Sequence, residues 1–72
     1  MTFDEDIENI IKVTALKNAI EYGGKSRTDT VIAKIMALRP DLRNNLKNLI
    51  PEITAIVQKI NAISLSDQKA LF

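Results

Sequence analysis

The chain contains no cysteine and no histidine. Without cysteine it can form neither a disulfide nor a thiolate metal site. Without histidine it lacks the commonest general base and the commonest metal ligand. Tryptophan is absent, and one Tyr and two Phe are the only aromatics. Glycine and proline occur twice each, so the strong breaks in regular structure are confined to Gly23-Gly24, Pro40 and Pro51. No apolar run approaches the roughly 18 residues that a membrane span requires, and no signal peptide is visible. The expectation is a soluble, cytoplasmic chain with no membrane partner.

What is present fits one small folded unit. With 72 residues, residues 1–72 are expected to form a single helical domain, burying about 60% of the surface an unfolded chain exposes. Apolar residues make up 46% and charged residues 26%, a globular balance. The net charge is only +1, but it is unevenly placed. Residues 1–11 hold Asp4, Glu5, Asp6 and Glu8 and no cation, as suits the positive end of a helix dipole. Residues 12–59 hold nine Lys and Arg against four acids, a local excess of five.

Apolar spacing predicts helices throughout and no strands. Phe3, Ile7, Ile10, Ile11, Ala15, Leu16, Ala19 and Ile20 recur every three or four residues, predicting a helix over Phe3 to Tyr22. Thr2 and Glu5 fit a capping box at its start, and Gly23-Gly24 fit its end. A second helix is expected from about Asp29 to Leu38, capped by Thr28 or Asp29 and stopped before Pro40. A third is expected over about Asp41 to Ile63, where Leu42, Leu46, Leu49, Ile53, Ile56, Val57, Ile60 and Ile63 keep one phase. Pro51 interrupts its backbone bonding, so this segment is expected to be a kinked helix or two nearly coaxial ones. Ser64 or Ser66 can cap a short fourth helix. The predicted fold is all-α, a small bundle of three to four helices.

One stretch imitates a known motif. Ala19-x-x-x-x-Gly24-Lys25-Ser26 approaches the phosphate loop G-x-x-x-x-G-K-[ST]. Such a loop needs a buried strand before it and a helix after it, whereas Ala19 lies on a helical apolar face. Nucleotide binding is therefore excluded here, and the glycines are read as a helix stop leading into a basic, exposed linker. Catalysis fares no better. The acids are scattered, and Ser26, Ser64 and Ser66 have no histidine partner and are expected to serve as caps.

The basic residues carry the stronger functional signal. Lys25 and Arg27 precede the second helix, whose amide end favours an anion such as an RNA phosphate. Lys34 lies within that helix. Arg39, Arg43 and Lys47 are four apart and would form one cationic stripe on a continuous helix. The plain alternative is a solvated polar face. A helix-turn-helix reader over residues 29–49 lacks the base-reading Asn, Gln and Arg cluster, so no DNA partner is expected.

The order of short elements resembles one family. Ala15-Leu16-Lys17-Asn18-Ala19, Gly24-Lys25, Val31-Ile32-Ala33-Lys34-Ile35-Met36, Pro40-Asp41-Leu42-Arg43, Ile56-Val57-Gln58-Lys59-Ile60-Asn61 and Ser64-Leu65-Ser66-Asp67-Gln68 follow one another with hardly a gap. Residues 15–68 thereby resemble the N-terminal segment of archaeal-type glutamyl-tRNA synthetases. Asp41 stands where that family usually has Glu, Ala33 where Gly is common, and Ser26-Arg27-Thr28-Asp29 where the linker often reads A-N-P. The catalytic signatures H-I-G-H and K-M-S-K-S do not occur. The resemblance implies a non-catalytic appendage of a larger enzyme, with its fourth helix cut at Phe72 and no cofactor of its own. ATP and magnesium would belong to the parent's catalytic domain. Related appendages of glutaminyl-tRNA synthetases and tRNA-dependent amidotransferases are associated with tRNA, which makes tRNA the implied partner. Contact is expected through Lys25, Arg27, Lys34, Arg39, Arg43 and Lys47. The alternative is a docking module for proteins, either other synthetases or a second copy, which exposure of Leu65, Leu71 and Phe72 would favour.

Overall fold

Ile11, Ala15 and Ala19 lie four residues apart on one face of the first helix, and all three are fully buried. That spacing stacks them one above the next toward the core. The two alanines leave room for neighbouring helices to approach closely. In the computed structural model, which describes residues 4–71, this helix is α1, Asp4–Glu21. The chain continues as α2, Thr28–Leu38, a 3₁₀ segment, Pro40–Asn45, α3, Leu46–Asn61, and α4, Leu65–Ala70. The all-α expectation holds, with four helices and no strand among the described residues. The capping box at Thr2 lies outside the described residues, as do Phe3 and Phe72.

α1 packs against α2, α3 and α4, and α2 packs against α3. Val31 and Ile35 from α2 meet Leu49, Ile53, Val57 and Ile60 from α3 in the core, with Leu42 of the 3₁₀ segment closing one end. The radius of gyration is 11.7 Å, close to the roughly 11 Å of a compact chain of this length. No helix is long and apolar enough to cross a membrane among the described residues.

Three local expectations need correction. The expected third helix breaks between Asn45 and Leu46 and not at Pro51, which sits inside α3. Asn44 and Asn45 favour local turn bonding over helix, and Asn45 itself leaves helical geometry with φ −113°. Pro51 removes only the amide that would bond four residues back, so α3 carries on through it. Neither Thr28 nor Asp29 caps α2, because Arg27 occupies the cap position and contributes no side-chain cap. Of the serines, Ser64 does cap α4, accepting from the Asp67 amide at 3.2 Å. Ser66 lies exposed inside α4, and Ser26 is buried in the linker.

Candidate nucleic-acid interface and the clamp behind it

α1 ends in a Schellman motif. The Gly24 amide reaches back to the Ala19 carbonyl at 2.7 Å and the Gly23 amide to the Ile20 carbonyl at 3.4 Å. Gly23 has φ +75° and Gly24 φ +104°, conformations that a side chain rarely adopts. The motif turns the chain against α4, where a Cβ on Gly24 would lie 3.5 Å from that of Leu65.

Three amide side chains from three helices then hold the linker. Asn18 of α1 accepts through Oδ1 from the Ser26 hydroxyl at 3.0 Å and from the Arg27 amide at 2.9 Å. Asn61 of α3 accepts from the Ser26 amide at 2.7 Å, and its Nδ2 donates to the Ser26 carbonyl at 3.0 Å. Gln68 of α4 donates through Nε2 to the carbonyls of Gly24, Ile60 and Ile63, at 2.9–3.0 Å. Asn18 and Gln68 are fully buried. Burying an amide is costly wherever it lacks a hydrogen bond. The linker's backbone supplies four of the partners, while Asn18 Nδ2 and Gln68 Oε1 are buried with none among the described residues.

The expected exposed linker is therefore an alternating one. Gly24 and Ser26 face inward and Lys25 and Arg27 face solvent. Composition and charge did not single out Asn18, Asn61 or Gln68 as structural residues. The available signal was their phase, since Asn18 continues the buried row of Ile11 and Ala15, and Asn61 follows Ile60.

The six expected contact residues do not form one patch. Lys25 and Arg27 lie beside the C-terminal end of α3, whereas Arg39, Arg43 and Lys47 cluster around its start. With 16 residues in α3, those groups stand roughly 24 Å apart at 1.5 Å per residue. Arg39, Arg43 and Lys47 also do not share a helix face. Arg39 is the junction of α2 and the 3₁₀ segment, Arg43 lies in that segment, and Lys47 is in α3. Three residues per turn in the 3₁₀ segment rotate positions four apart away from each other.

Half of the six already have acidic partners. Arg39 grips Asp41 with two bonds, Nε to Oδ1 at 3.0 Å and a terminal nitrogen to Oδ2 at 2.9 Å. Those bonds hold the Asp41 carboxyl below its ordinary range and raise Arg39, which also feels the charge of Asp6. Arg27 pairs with Asp29 at 3.4 Å, and Lys34 approaches Glu21 at 4.0 Å. Asp29 also accepts from the Thr30 amide at 2.8 Å. That bond, and then Arg27, lower its carboxyl. The anion at the amide end of α2 is thus the chain's own carboxylate. Lys25, Arg43 and Lys47 are exposed, and among the described residues no carboxylate lies within 4 Å of them.

About nine tenths of the chain aligns with curated proteins. The glutamate–tRNA ligase of Pyrococcus abyssi is 40% identical over 65 residues, covering 90% of this chain and 11% of the relative. That of Sulfurisphaera tokodaii is 42% identical over 65 residues, covering 90% and 12%. That of Nitrosopumilus maritimus is 35% identical over 66 residues, covering 92% and 12%. The chain thus spans about an eighth or less of the length of the relatives it matches. No family model matches it, and no solved structure does. By these alignments, the chain is similar to the N-terminal domain of archaeal glutamate–tRNA ligases.

Proposed function

We propose that this helical unit supports tRNA engagement by a cytoplasmic glutamate–tRNA ligase, during ATP-dependent attachment of glutamate to tRNA, and takes no part in the chemistry. The observation that carries the proposal is the pairing of two facts. Nine tenths of the chain aligns with enzymes named for tRNA, and Lys25, Arg43 and Lys47 stand exposed with no acidic neighbour among the described residues.

Contact of this kind is electrostatic. A lysine or arginine that neutralises a backbone phosphate releases condensed counterions and carries no base information by itself. Two cationic groups about 24 Å apart suit a long polyanion better than a small phosphate ligand. Lys25, Arg43 and Lys47 contribute first. Arg27, Lys34 and Arg39 contribute to the extent that phosphate displaces their carboxylate partners, which at exposed sites hold only weakly.

Titration of tRNA into this chain, and into a Lys25→Glu, Arg43→Glu, Lys47→Glu variant, tests the proposal. Binding should fall by at least about tenfold in the triple variant, given roughly one counterion released per phosphate contact. Equal affinities, or no binding by either protein, would reject it.

A further inference from the structure

Tyr22 is the chain's single tyrosine, and the fold makes little use of its ring. The residue is 59% exposed and belongs neither to the core nor to the half-buried side chains packed against it. An aromatic left in water forgoes a large burial gain, so its ring is free to meet a ligand. Its backbone, by contrast, is fixed. The Tyr22 amide is shared between the Asn18 and Ala19 carbonyls, at 3.2 and 3.1 Å, and the two positive-φ glycines of the Schellman turn follow it directly. Asn18 also holds the Ser26 hydroxyl and the Arg27 amide through its side chain. One residue thus fixes both the root of the Tyr22 side chain and the linker that carries Lys25. Nothing lies within 4 Å of where a Cβ on Gly23 would sit, so the surface next to Tyr22 is open.

The charges around this turn select the occupant. Lys25, three positions on, is exposed and has no carboxylate within 4 Å among the described residues. Glu21, the acid next to Tyr22, approaches Lys34 at 4.0 Å, and Asp29 is engaged by Arg27 at 3.4 Å. The turn therefore offers an aromatic ring close in sequence to a cation without a counter-charge. An unpaired nucleotide matches both features, with a phosphate for the cation and a planar base for the ring. A free phosphate would leave the ring idle, and an apolar protein surface would leave Lys25 unmatched. Bases outside a duplex are commonly held by stacking on aromatic side chains, and such stacking tolerates any base because each has a π-face. We propose that Tyr22 stacks an unpaired base of the RNA whose backbone meets Lys25. The inference rests on the tRNA reading above and adds to it a contact that is not electrostatic.

Tyr22 reports on itself, because the chain has no second tyrosine and no tryptophan. Proton NMR should show the Tyr22 ring resonances moving upfield as tRNA or a short oligoadenylate is added. Inorganic polyphosphate, which has the charges and no bases, should displace the RNA without moving them upfield. In anisotropy titrations of labelled tRNA, Tyr22→Leu should weaken binding by about tenfold. The loss should be the same at every salt concentration, so the slope against log salt stays unchanged, and Tyr22→Phe should keep most of the affinity. Both variants should retain the helical circular dichroism of the wild type, since Tyr22 lies outside the core. Salt-dependent binding in which the ring resonances do not move, or in which Tyr22→Leu matches the wild type, would overturn stacking and leave the phosphate contacts standing. No RNA binding by the wild type would overturn both proposals. Ring resonances that answer polyphosphate as they answer RNA would overturn stacking too. So would resonances that move with protein concentration and not with RNA, which would assign the ring to a protein contact.

Discussion

Asn61 and Ser26, thirty-five positions apart, pair through both ends of one amide, with Ser26 N–H to Oδ1 at 2.7 Å and Nδ2–H to the Ser26 carbonyl at 3.0 Å. The side chain does what a neighbouring strand would do, satisfying both backbone groups of a residue that belongs to no helix. It ties the C-terminal end of α3 to the linker between α1 and α2. Lys25 and Arg27, on either side of Ser26, are consequently presented to solvent on a fixed backbone.

Removing that amide should be costly. Asn61→Ala leaves the amide and carbonyl of the buried Ser26 without partners, at about 2–3 kcal/mol. Asn61→Asp keeps the acceptor but sets a carboxylate oxygen against the Ser26 carbonyl, so it should not rescue the loss. Urea unfolding followed by circular dichroism measures both. A cost under about 0.5 kcal/mol for Asn61→Ala would place it among ordinary surface changes and contradict the clamp.

The Schellman turn makes a separate prediction. Gly23 has φ +75° and open space where a Cβ would sit. The penalty of Gly23→Ala is then purely conformational, about 1–2 kcal/mol. Gly23→Asn should cost less, since Asn tolerates the left-handed region. Equal stability of the alanine and asparagine variants would show that φ is not the limiting factor.

Much of this fold was legible because helical period is a strong local signal. The stripe from Leu42 to Ile63 and the stop at Gly23-Gly24 follow from spacing and from glycine's conformational freedom. The break at Asn45 was not legible in that way, because the apolar phase runs straight across it while the backbone tightens to a 3₁₀ turn. The clamp was hidden for a different reason. Asn18, Asn61 and Gln68 acquire their role only when three helices converge on residues 24–27, and polar residues near an apolar stripe look the same whether they face solvent or bond a distant backbone. Among the six cations, spacing located the charges but not the carboxylates beside Arg27, Lys34 and Arg39. Asp41 reaches Arg39 because the chain turns at Pro40.

Acid should expose that pairing. The Asp29 and Asp41 carboxyls both titrate below their ordinary value, Asp29 chiefly through the Thr30 amide and Asp41 chiefly through the Arg39 bonds. A lowered folded-state value means that the contribution to stability is present above the unfolded value, about 3.9, and is lost as pH falls through the lower one. Stability should therefore decline as pH drops below about 4, and Asp41→Asn should make that decline shallower while leaving neutral-pH folding intact. An acid limb identical in wild type and Asp41→Asn would show that the pair adds nothing to the folded state.

The salt dependence of tRNA binding tests the central claim most directly. With Lys25, Arg43 and Lys47 as the principal phosphate contacts, a plot of log affinity against log salt concentration should fall with a slope of roughly −2 to −3, at 0.7–0.9 per contact. Each single charge removal should make that slope shallower by about one contact and weaken different tRNA sequences alike. Binding that ignores salt, or a slope unchanged by all three substitutions, would contradict the claim that these cations engage the tRNA backbone.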